Sequence, residues 1–243
     1  MTTLLEVEHL TKRFGAVTAV DDCSFTVEEG TITGLIGPNG SGKTTVFNLV
    51  TGYQRADSGR ILFAGRALAR PDPAALYRAG LSRTFQQARV FPRLCALDNL
   101  IVAAGHSWRS LFTRRRGRED SKRARALLAE FGLAAQAEHP AGELSYGQRK
   151  LLEFASVLMS EPKLVLLDEP TAGVNPTLVT TMERHIRQRH AAGFSFLIVE
   201  HDMNLVMRLC DPVIVLDRGA RIAAGSPDAV RSDPAVLDAY LGQ

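Results

Sequence analysis

The chain has 243 residues, 45% of them apolar and 23% charged. That balance excludes a disordered tail, a collagen and a coiled-coil rod, and leaves a globular protein that buries a core. Mean hydropathy is -0.02, and no apolar run approaches the roughly 18 residues that span a bilayer. The net charge of +3 conceals a local excess: eight basic residues between Arg109 and Arg125 face only Glu119 and Asp120, so the remainder is net negative. The body is therefore not a nucleic-acid-coating surface, and no nucleic-acid partner is expected. Cys23, Cys95 and Cys210 form neither a metal-ligand spacing nor a disulfide framework, which fits a reducing compartment. The start, Met1 to Glu6, has no basic region followed by an apolar stretch, so no secretory signal is expected.

Alternation predicts strands over 5–10 and 23–28, and a more apolar, central strand over 31–36. A Gly-rich loop follows, then a helix over 44–50 and a strand over 60–63. From about Ala88 to Ser160 the spacing turns helical, over 94–104, 119–131 and 148–159. Strand and helix then alternate: strand 164–167, helix 176–192, strand 194–199, helix 203–209. Strands 212–216 and 221–224 read as a final hairpin across Asp217-Arg218-Gly219. Short apolar strands alternating with helices imply an α/β fold with a mainly parallel sheet covered on both faces.

Three runs carry chemistry. Gly37-Pro38-Asn39-Gly40-Ser41-Gly42-Lys43-Thr44 fits the phosphate-loop pattern, following an apolar strand and opening a helix. Its glycines let backbone N–H groups wrap a phosphate, and the helix adds its positive end. Lys43 suits the β- and γ-phosphates, and the Thr44 hydroxyl suits Mg²⁺. Leu164 to Leu167 is an apolar run ending in Asp168 and Glu169. Asp168 suits Mg²⁺ held through water, and Glu169 suits a general base for an attacking water. Leu144-Ser145-Tyr146-Gly147-Gln148 precedes a helix, with Ser145 either as a plain N-cap or as part of a second anion site.

With these runs the chain resembles the ATP-binding subunits of ABC transporters. Their signature, Leu-Ser-Gly-Gly-Gln, has Tyr146 in place of its first glycine here. The resemblance implies that Phe14 stacks on adenine, that the loop through Thr45 binds ATP, and that Gln86 in Arg83-Thr84-Phe85-Gln86 senses Mg²⁺ and the membrane partner. It implies that His201 contacts the γ-phosphate and that Ala172 to Asn175 form the loop crossing to the partner subunit. It also implies the fold: a P-loop NTPase core over about 1–87 and 161–243, with an N-terminal antiparallel β part, and a helical signature subdomain over about 88–160, all in one ATP-binding domain. The runs Arg83 to Gln86, Ser145 to Gln148, Glu169 to Pro176, Glu200 to Met203 and Asp238 to Gly242 are similar to one subgroup, the branched-chain amino acid importers. Asn175 stands where the superfamily usually has aspartate.

The family implies a head-to-tail dimer in which ATP lies between Lys43 of one subunit and Ser145, Gly147 and Gln148 of the other. Expected partners are membrane permeases, a second ATP-binding subunit, identical or related, and indirectly a solute-binding protein outside the membrane. The expected location is peripheral, on the cytoplasmic face of the cell membrane. ATP and Mg²⁺ are the expected substrate and metal. The same role for urea, amides or lipid export stays open, as does a soluble mechanical ATPase acting on ribosomes or DNA. A P-loop kinase would lack Ser145 and His201 in these roles. The basic stretch reads either as a solvated loop between helices or, with Trp108, Leu111 and Phe112, as a contact for anionic lipid headgroups.

Overall fold

The computed structural model describes residues 2–68, 72–105 and 114–241, with backbone alone at 114–116 and 241. Strand β1 (Thr3–Phe14) turns through Gly15, whose φ of 58° suits glycine, into β2 (Val17–Glu28). Strand β3 (Ile32–Ile36) is buried throughout and leads into helix α1 (Lys43–Val50). Strands β4 (Ser58–Phe63) and β5 (Arg66–Ala67) join the first two in an antiparallel sheet ordered β2-β1-β4-β5.

The second sheet holds β6 (Leu81–Arg83), β7 (Leu164–Asp168), β8 (Ser195–Val199), β9 (Val213–Asp217) and β10 (Ala220–Gly225) with β3. Its order is β10-β9-β3-β8-β7-β6. Every pairing is parallel except that of β9 with β10. Alternation within each strand sends side chains to two cores. Leu35, Leu166 and Leu197 face α1 and the antiparallel sheet, packing with Phe47, Phe25 and Val7. Ile36, Val165, Leu167, Phe196 and Ile198 face the other way, toward the remaining helices.

Those helices are α2 (Pro73–Ala79), α3 (Ala96–Ala103), α4 (Arg114–Glu130), α5 (Tyr146–Val157), α6 (Pro176–Ala191), α7 (Met203–Leu209), α8 (Pro227–Arg231) and α9 (Pro234–Leu241). Among the described residues no helix is long and apolar enough to cross a membrane. Helix α4 buries Ala124, Leu127 and Leu128, a spacing that lays one stripe on the core. The second half of the basic stretch is therefore helix rather than loop. There Arg123 pairs with Glu161 at 2.6 Å and Arg125 with Glu138 at 2.8 Å. Trp108, Arg109, Leu111 and Phe112 lie outside the described residues.

One core residue gives the fold an acid sensitivity. His185 on α6 is 1% exposed, stacks on Phe131 with centroids 4.1 Å apart, and neither ring nitrogen has a hydrogen-bond partner of good geometry among the described residues. Burial, then the nearby charges of Arg184 and Arg189, push its pKa down to about 4. The unfolded chain takes up this proton near pH 6.5 and the folded chain does not, so stability falls as pH drops below 6.5 toward 4. The slope is about 1.4 kcal/mol per pH unit. We expect His185→Phe to remove about 2 kcal/mol of the stability lost by the parent chain between pH 6.5 and 5. Urea melts of both proteins at the two pH values measure it; equal losses would refute it.

Candidate active site

Five parallel strands, β9, β3, β8, β7 and β6, end on the same edge of the sheet, where open α/β sheets place their ligands. The loop after β3 is the Gly-rich run. Gly37 has φ 151° and Gly42 has φ 100°. A Cβ would lie 2.1 Å from the Leu216 carbonyl oxygen at Gly37 and 2.4 Å from that of Ala19 at Gly42. Only glycine lets this loop pass so close to β9 and β2. At Gly40 a Cβ would meet nothing within 4 Å. Helix α1 starts at Lys43 with no side chain capping it, which leaves its first N–H groups for an anion.

Lys43 is 6% exposed, and its Nζ donates to the carbonyls of Gly37 at 2.7 Å and Pro38 at 2.8 Å, with Ser41 Oγ at 3.5 Å. Burial pushes its pKa below the ordinary lysine value, and the charge of Glu169 opposes that shift. Ser41 is itself held, its N–H donating to Pro38 and its carbonyl accepting from Gly219.

Across from the loop, β7 ends at Asp168 and the chain turns sharply at Glu169, whose φ of 47° is left-handed for a non-glycine residue. Such strain costs on the order of 1 kcal/mol and marks positions held by their surroundings. Glu169 Oε1 lies 2.6 Å from His201 Nε2, which follows β8. Its Oε2 accepts from Gln86 Nε2 at 2.8 Å. Against an ionised carboxylate, His201 Nε2 carries the proton and donates.

The result is a cleft of about 390 Å³. Asn39, Gly40, Gly42, Lys43, Thr44 and Thr45 line one side of it, with Gln86, Glu169 and His201 on the other. A neighbouring groove of about 500 Å³ adds Asp168 beside Thr44 and Gln86. Phe14 stands exposed at the end of β1, in the hairpin whose second strand brings Ala19 against Gly42.

Asp168 has a partner to which the sequence motifs assign no role. Arg83, 6% exposed, donates to Asp168 Oδ2 at 2.6 Å, and to Asn48 and Thr51 at 2.7 and 3.0 Å. Its guanidinium also sits 5.0 Å from the Phe85 ring centroid. Only Oδ2 enters the pair with Arg83, so the other Asp168 oxygen suits a hydrated cation. Among the described residues no cluster of three His, Cys, Asp or Glu side chains could hold a metal alone. The donor set of Thr44 hydroxyl, Gln86 amide and one Asp168 oxygen fits Mg²⁺, which binds through few protein ligands together with substrate phosphates.

Ser145, Gly147 and Gln148 are elsewhere. With Gly173, Asn175 and Leu178 they line a separate cleft of about 700 Å³. Ser145 caps α5: its Oγ accepts from the Gln148 N–H at 3.2 Å, and Gln148 Oε1 accepts from the Ser145 N–H at 2.9 Å. Tyr146 donates its hydroxyl to the Ala172 carbonyl at 3.2 Å, tying the signature to the loop after β7. Asn175 caps α6 through Leu178 N–H at 2.9 Å, ahead of Pro176. Both departures from the superfamily pattern thus have local structural work.

Three further polar residues, Lys150, Glu153 and Glu200, lie buried behind the cleft. The signal for the first two is two charges three apart among Leu151, Leu152, Phe154 and Ala155.

Comparison with known proteins identifies the family. The family described as ABC transporter matches residues 20–172, and that described as Branched-chain amino acid ATP-binding cassette transporter matches residues 220–243. The high-affinity branched-chain amino acid transport ATP-binding protein BraF of Pseudomonas aeruginosa is 38% identical over 99% of this chain and 98% of its own. The probable branched-chain amino acid transport ATP-binding protein LivG of Methanocaldococcus jannaschii is 37% identical over 99% and 98%. A solved ATP-binding cassette of an ABC transporter in its ADP conformation is 37% identical, with a TM-score of 0.87 over 100% of both chains. The chain therefore belongs to the ABC transporter family, as an ATP-hydrolysing cassette of the group named for branched-chain amino acid transport.

Proposed function

We propose that this chain drives import of branched-chain amino acids, with residues 88–160 as the helical subdomain of a single ATP-binding domain. The observation that carries the chemistry is the Glu169 carboxylate, held between His201 and Gln86 across one cleft from Lys43. Asn39, Gly40, Gly42 and the start of α1 take the phosphates, Lys43 neutralises the β- and γ-groups, and Phe14 stacks on adenine. Gly37, Pro38 and Ser41 hold the loop and Lys43 in shape; Thr45 completes its phosphate-facing wall. Thr44, Gln86 and Asp168 would hold Mg²⁺, which offsets phosphate charge. Glu169 takes the proton of the attacking water, and His201 steadies the carboxylate and the γ-phosphate.

Ser145 and Gly147, with Gln148 supporting the cap, serve the nucleotide of a second subunit in a head-to-tail dimer. The two anion-binding surfaces then share one γ-phosphate, so ATP favours closure and hydrolysis removes that preference. Permeases at the cytoplasmic face of the membrane receive the motion, and a solute-binding protein outside supplies the cargo. The substrate class rests on the names of the relatives.

The test is co-purification of tagged Glu169→Gln from membranes solubilised with ATP. Two permeases and a second ATP-binding subunit are expected. Ribosomal or DNA-repair proteins without a membrane protein would overturn the transport reading.

A further inference from the structure

We propose that Lys150 and Glu153 are positioning residues for hydrolysis: from adjacent turns of α5 they clamp the Gln86 loop and the Glu169 backbone from beneath. Lys150 is 2% exposed and Glu153 5%. Lys150 Nζ donates to the Gln86 carbonyl at 2.6 Å and reaches the Glu169 carbonyl at 3.4 Å. Glu153 Oε1 accepts from the Phe85 and Arg89 N–H groups, both at 3.1 Å. The loop is thus pinned at residues 85, 86 and 89, and the same lysine joins it to the base. The inference rests on Glu169 being the base.

Charge at these two positions is not what packing alone would select. The neighbours Leu151, Leu152, Phe154 and Ala155 are apolar core residues. A buried charge is costly unless its hydrogen bonds are made. Burial pushes Lys150 below and Glu153 above their ordinary values, the latter to about 7. Among the described residues, their side-chain hydrogen bonds go to backbone groups of residues 85, 86, 89 and 169. Glu200 extends the clamp. Its carboxylate accepts from the Thr171 N–H at 2.8 Å, the Thr171 hydroxyl at 2.6 Å and the His201 N–H at 3.2 Å. The carboxylate-amide-imidazole arrangement in the cleft therefore sits on buried polar side chains that hold its backbone. Displacing it by about 1 Å is enough to lower a rate about 100-fold.

Neither residue lines the nucleotide cleft, so the clamp predicts a split between binding and turnover. In the full chain, Lys150→Met should lower kcat at least about tenfold. The Kd for a non-hydrolysable ATP analogue should stay within about twofold, and Lys150→Arg should recover most of the rate. Glu153→Gln, which keeps the shape and one acceptor, should lower kcat about threefold to tenfold at unchanged KM. Should Lys150→Met fail to fold, Glu153→Gln decides. Wild-type kcat in the folded variants, or equal losses of kcat and analogue binding, would overturn the clamp. Glu169→Gln is the control: if it hydrolyses ATP at the wild-type rate, the base assignment fails. If it is inactive while the clamp variants are wild type, only the clamp fails.

Discussion

Replacing Glu169 by Gln is expected to lower ATP turnover by about 10² to 10⁴, the range supplied by a positioned general base. The amide keeps the length of the side chain, and its oxygen still accepts from His201 Nε2, now 2.6 Å from Oε1. It cannot take a proton from water. The phosphate loop is untouched, so ATP still binds, and with hydrolysis blocked the ATP-bound dimer should accumulate. Phosphate release measures the first effect. Gel filtration with ATP and Mg²⁺ measures the second, as a shift from monomer to dimer that ADP does not produce. A variant within tenfold of wild-type turnover would remove Glu169 as the base and point to another acceptor. Glu169→Ala separates charge from scaffold: it also frees Gln86 Nε2 and His201, so a loss larger than that of Gln would measure what the carboxylate does for its neighbours.

Contiguous chemistry is the part of this site legible in the sequence. The run from Gly37 to Thr44 carries its own backbone demands, since Gly37 and Gly42 leave no room for a Cβ, and it announces a strand before and a helix after. The strand ending in Asp168 and Glu169 is legible for the same reason. Gln86 and Glu169, 83 residues apart, are different. They meet because β6 pairs parallel with β7, and β6 is only Leu81 to Arg83, too short for any periodicity to reveal. Gln86 is tied to the site by the resemblance of the run Arg83 to Gln86, not by periodicity. Arg83 was visible inside the same run, but its hold on Asp168 depends on that pairing too. Helix α2 escaped because its seven residues bury only Leu76, although Asp72 and Pro73 are a legible start. Helices α8 and α9 likewise bury little apolar surface, Val230 in one and Val236 in the other, and offer no sustained stripe. The long amphipathic elements, α5 and α6, are where pattern and structure agree to within a few residues. At 150 and 153 the pattern itself was broken by charge, and the break is what marks the clamp.

Lys43→Ala is expected to weaken ATP binding about 100-fold, with a graded dependence on the number of phosphates. The ammonium is the positive charge of the cleft closest to the loop backbone, held by the Gly37 and Pro38 carbonyls. Hydrogen bonds to charged groups are worth about 1.5–3 kcal/mol each, so a net gain equal to one of them, beyond the carbonyl bonds Lys43 already makes, gives roughly that factor. The substitution also strips the strap that ties residues 37 and 38 to the start of α1, so part of the loss is preorganisation of the loop. Lys43→Arg keeps the charge but places a planar fork where a single ammonium lies 2.7 and 2.8 Å from two carbonyls, so it should not restore affinity. Calorimetric titration with ATP, ADP and AMP separates the contributions. The penalty should be largest for ATP, smaller for ADP and slight for AMP, which carries neither a β- nor a γ-phosphate. Undiminished ATP affinity in Lys43→Ala would sink the phosphate-loop assignment. An equal loss for all three nucleotides would place the defect in the loop scaffold rather than in the charge.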